Sequence, residues 1–384
     1  MKITHLITSI NRGGAENHLY DLAVSQQKAN NNVEIIYFKG NGYWKNDLKK
    51  NMIKVTSFNP NFSSLKIINY FFFFFKLAQY IRSNKTDVLH AHLPLMEISA
   101  RLLSYFIKKD YVFIITKHLD NYCLRGSNYY SNSKSYLSIL IEKWIFSKCD
   151  KYIAISKSVR SFFIKKVGLS QSSIKVIYYG IDQIAPIRGN IKKKLLITKK
   201  KKDTIILGTI ARLVSQKKID ITLKALSILK KNNIKFKYYI LGEGPLLEDL
   251  KNLAKNLNIH NEVIFLGYSD DVKAFIKKID IFCLSSDHEG LGLVLLESMI
   301  NGVPVICSNF GAAREIISNK KLGLLFKRGN HLDMSRKLLK ILNKSFRKKL
   351  SLNSKKYAIK NYNLQKCLKE TKKLYKIELM RYNK

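Results

Sequence analysis

The stretch SSDHEGLGLVLLESMINGVPV, Ser285 to Val305, decides how the chain is read. It carries two glutamates, Glu289 and Glu297, and lies between the apolar runs Ile279–Leu284 and Val303–Ser308. Gly290 and Gly292 mark the start of a helix that runs to about Asn301. Gly302 suits the C′ position, and Pro304 forbids continuation. The segment therefore reads as strand, loop, helix, strand. Counted along a helix, the two carboxylates stand roughly 12 Å apart at 1.5 Å per residue, and some 80° apart around the axis. That exceeds the roughly 5 Å of a retaining glycosidase pair and lies somewhat beyond the wider inverting one. One extended ligand touched at two points fits better, each carboxylate accepting from a pair of hydroxyls. The helix N-terminus between them would favour phosphate oxygens. Asp287-His288-Glu289 as a metal triad is disfavoured, because consecutive loop residues rarely converge on one ion.

Outward from this stretch the same rhythm recurs. In the first half, strand patterns fall at Ile3–Ile10, Val33–Phe38, Asp87–His92, Val112–Lys117, Tyr152–Ser156 and Lys175–Tyr179. Amphipathic stretches such as Ala15–Ala29, Leu65–Arg82 and Tyr136–Ser147 separate most of them. The second half restarts at Thr204–Ala211 and continues through Lys237–Leu241 and Val263–Leu266. Alternation of this kind predicts parallel βα units. The expected division is residues 1–185 as a first Rossmann-like domain, 186–203 as a basic linker, 204–345 as a second domain and 346–384 as C-terminal helices. Doubly wound domains bind ligands at the carboxyl ends of their strands, so each motif should sit just after a strand.

The motifs do. Gly13 and Gly14 in NRGGAEN follow the first strand and open a helix, though without the GxGxxG spacing of a dinucleotide site. Arg212 and Lys217 in ARLVSQK follow the restart strand, where two cations can hold a diphosphate. Leu241-Gly242-Glu243-Gly244-Pro245 is another strand-to-helix turn with room for a ligand. Hydroxyl-binding carboxylates with phosphate-binding groups between them match the layout of a nucleotide sugar.

At 384 residues, two domains are the default expectation, and 46% hydrophobic content allows sizeable cores. The 69 basic residues against 27 acidic ones give a net charge of +42. Such an excess favours nucleic acid, an acidic membrane surface or phosphate-bearing substrates, although lysines scattered along the whole chain also suit a merely solvated surface. No nucleic-acid recognition motif accompanies the charge. The five cysteines form no CxxC or other metal spacing, as expected of a reduced cytosolic protein. The opening MKITHLITSI reads as a strand rather than a signal peptide. The run Ile67–Ile81 around YFFFFF is broken by Asn69 and Lys76, and falls short of the roughly 20 apolar residues of a membrane span.

Glu-x7-Glu with EGLG, the Arg-x4-Lys of RLVSQK, GEGP, the GGAE turn and YGID together resemble the retaining glycosyltransferases of the GT-B fold, in the large family called glycosyl transferases group 1, or family 4. The resemblance spans essentially the whole chain and is most specific from Ile205 to Phe326. It implies an α/β protein of two doubly wound Rossmann-like domains facing a central cleft, with a C-terminal helix from about Leu364 crossing back onto the first domain. Carried over by position, Glu289 would hold the donor sugar's hydroxyls and Glu297 the ribose. Arg212 and Lys217 would bind the diphosphate, helped by backbone groups at Gly13, Gly14, Gly290, Gly292 and Leu293. His118 in TKHLDN matches the family histidine beside the reacting centre, and His90-Ala91-His92 also fits the pattern. Three positions depart from it: Tyr179 replaces the usual Asn before Gly180, Lys218 stands where Gly is common, and Ser298 replaces a common Ala.

The resemblance thus implies retaining transfer from a nucleotide sugar, UDP being the family's commonest choice, to a saccharide or lipid-linked saccharide acceptor in surface polysaccharide synthesis. No acidic DxD-type pair follows an apolar strand, so no metal and no other cofactor is expected, and the leaving diphosphate is met by Arg212, Lys217 and helix N–H groups. The Ile67–Arg82 helix, rich in Phe and Tyr, and the basic, aromatic-rich first domain suggest a cytoplasmic protein docking on an anionic membrane, the cytoplasmic face of the inner membrane; a buried helix explains YFFFFF at least as well. The rival readings are a nucleotide-sugar epimerase of the same fold, a phosphorylase, and a basic protein that only binds. Specificity for nucleotide, sugar, acceptor and linkage would rest on pocket-lining loops such as Leu119–Ser135.

Overall fold

The computed structural model describes residues 1–11, 13–58, 66–120, 136–181, 203–269 and 271–382. Asp182, most of the basic linker, and the Leu119–Ser135 loop from residue 121 onward lie outside them. The chain divides into two compact units: Met1–Gly180 together with Leu364–Lys384, and Ile181–Asn363. Both are Rossmann-like, and the fold is GT-B α/β.

In unit 1 the strands are β1 (Lys2–Ile7), β2 (Asn32–Tyr37), β3 (Lys54–Ser57), β4 (Val88–His92), β5 (Val112–Lys117), β6 (Lys151–Ala154) and β7 (Ile174–Val176). Helices α1 (Gly14–Lys28), α2 (Lys45–Lys50), α3 (Lys66–Ser83), α4 (Pro94–Phe106), α5 (Tyr136–Phe146) and α6 (Lys157–Phe162) follow the first six in turn. Every strand pairing is parallel, in the order β3-β2-β1-β4-β5-β6-β7. The order reverses between β1 and β4, the switch point where such sheets bind ligands. Right-handed crossovers put α1 and α2 on one face and α3, α4 and α5 on the other.

Unit 2 alternates as strictly. Strands β8 (Ile205–Ile210), β9 (Phe236–Leu241), β10 (Val263–Gly267), β11 (Ile281–Leu284), β12 (Val305–Ser308) and β13 (Leu324–Phe326) are followed by α7 (Ile219–Lys231), α8 (Leu247–Asn256), α9 (Val272–Lys278), α10 (Leu293–Ile300), α11 (Gly311–Ile316) and α12 (His331–Leu342). Helix α13 (Lys344–Asn361) completes this unit. The order β10-β9-β8-β11-β12-β13 places the switch between β8 and β11. Helix α14 (Leu364–Tyr382) belongs to unit 1, where Cys367, Leu374 and Tyr375 join the core of β1, β2, β4 and β5.

Strands β3 and β13, four and three residues long, escape the sequence reading. The aromatic run of α3 divides between two faces. Phe73, Phe74, Leu77 and Ile81 are buried, and Phe74 packs edge-on against Phe106 of α4 with ring centroids 5.2 Å apart. Phe71, Phe72 and Phe75 are 59%, 47% and 61% exposed, and with Ile68 they follow the i, i+3, i+4, i+7 spacing of one helix stripe. The helix is thus apolar on the side facing the core and on the side facing solvent. Phe73→Ala is expected to cost about 3–5 kcal/mol in chemical denaturation, whereas Phe72→Ala should stay within about 0.5 kcal/mol.

Candidate functional site

In unit 2 the predicted residues gather at the switch point, Arg212 and Lys217 after β8 and the Ser285–Glu297 stretch after β11. The loop after β8 is held by the turn after β9. Leu213 N donates to Glu243 O at 2.9 Å, and Leu246 N donates to Leu213 O at 3.1 Å. A Cβ on Gly242, whose φ is +142°, would lie 2.0 Å from Ala211 O, and one on Gly244 would lie 2.5 Å from Leu213 O. The glycines of GEGP therefore let two backbones touch, and they fix the segment that presents the exposed Arg212. The glycines that the sequence reading takes as room for a ligand are required by this backbone contact.

The loops after β8 and β11 are laced together. Asp287 N donates to Gln216 O at 2.9 Å, Gln216 Nε2 to His288 O at 2.9 Å, and Ser285 Oγ to Lys217 O at 2.9 Å. Lys217 Nζ then reaches Glu289 Oε1 at 2.5 Å, and Ser286 Oγ donates to the same oxygen at 2.7 Å. Two residues given separate ligand roles by sequence are thus one partly buried ion pair. Lys218, at the position where Gly is common, adopts φ +48°. A left-handed non-glycine residue costs roughly 1–2 kcal/mol, and its ammonium lies 3.8 Å from Asp287.

Helix α10 begins at Leu293, behind Gly292 at φ +90°. Glu289 lies before it in the loop, so the helical rise and angle reckoned from the sequence do not describe its separation from Glu297. Glu297 is half-buried midway along α10. The amides of Leu295 and Leu296 bond back to Gly292 O, which leaves those of Leu293 and Val294 as the helix's leading N–H groups. Two cations follow β8, and a carboxylate and a helix N-terminus follow its sheet neighbour β11, with Lys217 and Glu289 joined across the two loops. That is a set able to bind an anion and hydroxyls together.

In unit 1, Gly13 and Gly14 open α1 beside the switch point between β1 and β4. Gly13 is extended at φ −174°, an angle open to any residue, and a Cβ there would meet the Glu16 carboxylate. Glu16 accepts from Ser9 Oγ at 3.0 Å. Around this turn Asn11 Oδ1, Asn17 Oδ1 and His18 Nδ1 are buried without a hydrogen-bond partner among the described residues. They form a donor and acceptor surplus that a hydroxyl-rich ligand can satisfy.

His118, just after β5, bonds His92 Nδ1 through Nε2 at 3.2 Å, and its Nδ1 contacts the Tyr179 hydroxyl. Tyr179, one of the departures from the family pattern, stacks on His18 with centroids 3.6 Å apart. Sequence reasoning named His90 and His92 and missed His5, Gln26 and Tyr375 behind them. His5 of β1 pairs in register with His90 of β4, so that side chains from neighbouring strands share a face. Gln26 of α1 and Tyr375 of α14 come down onto that face, and nothing in their spacing announces it. His5, His90 and His92 bring ring nitrogens within 4.8 Å of one another, a possible metal cluster by proximity. All six of those nitrogens, however, already have protein partners within 3.2 Å. Beside His118, buried Lys117 bonds both Glu97 and, at 2.8 Å, Glu142. Burial, opposed by Lys117 and aided by Glu142, pushes Glu97 up to about 7.

The comparisons with known proteins converge. The family described as Glycosyl transferases group 1 matches residues 190–361, and that described as Glycosyltransferase Family 4 matches residues 12–183. An N-acetylgalactosaminyltransferase of Campylobacter jejuni that acts on a diphosphoundecaprenol-linked saccharide is 28% identical over 97% of this chain and 98% of its own. An Escherichia coli UDP-Gal:GlcNAc-diphosphoundecaprenol galactosyltransferase is 25% identical over 78% of this chain and 77% of its own. Among solved structures, Anabaena HepE with UDP and glucose superposes with a TM-score of 0.79 at 20% identity, covering 97% of this chain and 99% of that one. Staphylococcus aureus TarM superposes with a TM-score of 0.76 at 16% identity, covering 98% and 100%.

The buried histidines set a pH dependence. Burial pushes His5 down to about 4; burial and Lys117 push His118 down to about 3. His18, His90 and His92 are lowered in the same way. Each contributes stability that is present above the free value of 6.5 and is lost as pH falls through the folded value, up to about 1.4 kcal/mol per pH unit. Glu97 works oppositely, its contribution being present below 4.5 and lost as pH rises through about 7. Five histidines outweigh one glutamate, so the urea midpoint should fall steeply between pH 6.5 and 4. A flat or rising midpoint across that window would contradict the neutral cluster.

Proposed function

The chain belongs to the group 1 glycosyltransferases, and from that membership we propose that it is a retaining, metal-independent enzyme moving a sugar from a UDP-sugar to a lipid-linked saccharide during surface polysaccharide synthesis. The observation that carries the reading is the Lys217–Glu289 contact at the unit 2 switch point, with Arg212 and the α10 N-terminus around it. Glu289 accepts from the sugar hydroxyls and Glu297 from the ribose. Arg212, Lys217 and the leading N–H groups of α10 bind the diphosphate and take up its developing charge, a task several kcal/mol deep for well-placed donors. The acceptor oxygen bonds to the anomeric carbon as the carbon–oxygen bond to the diphosphate breaks, on the same face. The acceptor proton passes to the departing phosphate oxygen. We assign His118 the role that the family's histidine has in the transfer. The UDP complexes of HepE support the choice of nucleotide, and the two diphosphoundecaprenol-linked acceptors support the choice of acceptor.

The exposed stripe of α3 suits such an acceptor. No helix among the described residues is long and apolar enough to cross a membrane. Ile68, Phe71, Phe72 and Phe75 can instead lie in the headgroup region, with exposed Lys76, Arg82 and Lys108 nearby to meet anionic lipid at the cytoplasmic face.

A thermal-shift panel of UDP-, GDP- and ADP-sugars with chelator present tests the donor. Stabilisation by the UDP class alone is expected, about 2.7 kcal/mol at 100 times Kd. Arg212→Ala and Lys217→Ala should lower kcat more than they raise donor KM, and a change in KM alone would remove their transition-state role. Retention of the donor's anomeric configuration in the product, read by NMR, is required. In vesicle sedimentation the protein should bind phosphatidylglycerol-rich vesicles at low salt and release at high salt. The Phe71→Ser/Phe72→Ser/Phe75→Ser variant should bind at least about tenfold more weakly, and no wild-type binding at low salt would overturn the docking face.

A further inference from the structure

The buried histidines of unit 1 form a continuous hydrogen-bonded line whose direction can be worked out atom by atom. His5 Nε2 lies 2.8 Å from Gln26 Oε1, a carbonyl oxygen that can only accept, so His5 carries its proton on Nε2. A neutral imidazole has one N–H, and His5 Nδ1 must then accept. Its partner, 3.1 Å away, is His92 Nε2, which therefore donates. His92 Nδ1 is left to accept from His118 Nε2 at 3.2 Å, and His118 Nδ1 is left to accept from the Tyr179 hydroxyl.

A second branch starts from the other end of the same amide. Gln26 Nε2 donates to the Tyr375 hydroxyl at 3.4 Å, and Tyr375 has one proton to pass on. His90 Nδ1, 2.6 Å away, accepts it, and His90 Nε2 donates to Thr116 Oγ1 at 2.7 Å. With the Gln26 amide in this orientation, opposite tautomers would set lone pair against lone pair or proton against proton at the buried links of the line. Neutrality follows from the surroundings, since His5, His90 and His92 are wholly buried and every hydrogen-bond partner on both branches is uncharged.

We propose that Gln26 fixes the polarity of this relay, holding His5, His92, His118 and His90 as Nε2–H tautomers, so that His118 presents a lone pair at Nδ1 which the Tyr179 hydroxyl caps. Gln26 and Tyr179 are positioning residues. Gln26 decides which nitrogen of an imidazole two histidines away bears the proton. Tyr179 fills the nitrogen so exposed. The group that replaces Tyr179 there must donate an O–H or N–H. Where His118 serves the transfer proposed above, a substrate hydroxyl is bound as a donor.

Nitrogen-15 NMR of histidine-labelled, full-length protein at pH 7.5 reads each tautomer directly, without substrate and whether or not transfer is detected. The expected result is the Nε2–H form at all four histidines, with His118 Nδ1 shifted as a hydrogen-bonded acceptor. Tyr179→Phe should keep that tautomer and move only the Nδ1 signal of His118 toward an unbonded value. Gln26→Leu should give mixed tautomers at His5, His92 and His118. An Nδ1–H tautomer or an imidazolium at His118 in the wild type overturns the relay, as does loss of the Nε2–H signals on adding Zn²⁺ alone. Should Gln26→Leu fail to fold, the wild-type and Tyr179→Phe spectra decide. Intact tautomers in a protein that no UDP-sugar stabilises would sustain the relay while removing the transfer reading.

Discussion

The unit 2 site depends on one steric constraint. At Gly242 and Gly244 the backbone of one βα turn lies against the carbonyls of Ala211 and Leu213, where no side chain fits. Because β8 and β9 are neighbours in the sheet, this approach sets where the loop after β8 leaves its strand. The rest follows in order. Leu213 is anchored to Glu243, the Ser215–Lys217 turn is laced to Ser285 and Asp287, and Lys217 meets Glu289. A cation on a flexible stem would otherwise carry about 2 kcal/mol of rotamer entropy into any binding step. Here much of that ordering is done by backbone contacts. The strained φ of Lys218 is tolerated because neighbouring bonds over-determine it.

Unit 1 solves a different problem. It buries polar rings at the centre of a parallel sheet, where a charge would be costly and an unpaired nitrogen nearly as bad. The solution is a closed inventory of neutral donors and acceptors running through β1, β4, α1 and α14. Lys117, one residue from His118 but pointing to the opposite face of the sheet, meets two carboxylates instead. Thr116 and Lys117, adjacent in β5, thus serve an uncharged network and an ionic one, kept apart by the pleat.

Much of this was legible beforehand. Alternating β-branched and amphipathic segments gave both doubly wound units, and glycine and proline punctuation gave the limits of α10 to within a few residues. Local signals sufficed because the relevant rules, capping and period, act over a few residues. Three kinds of information were not local. The Lys217–Glu289 pairing joins residues 72 apart and depends on two loops being laced together. GEGP reads only as a ligand turn because nothing in the sequence shows that its glycines lie against another backbone. Gln26 and Tyr375 carry no chemical signature, and acquire one only when the sheet brings His5 and His90 side by side. The pentaphenylalanine run was ambiguous for a physical reason: a helix apolar on two faces has no contrast from which to read which face is inside.

The return of α14 carries a consequence for synthesis. Unit 2 is continuous in sequence, from Ile181 to Asn363, whereas unit 1 is split between the two ends of the chain. On the ribosome the first 180 residues emerge well before the helix that supplies Tyr375. His90 must wait for a partner 285 residues downstream. Unit 2 can therefore close while its predecessor is still unfinished, and the order of completion is the reverse of the order of translation. A nascent chain stalled before Leu364 would hold a sheet with one flank of its core uncovered, the state most open to chaperone capture or to proteolysis.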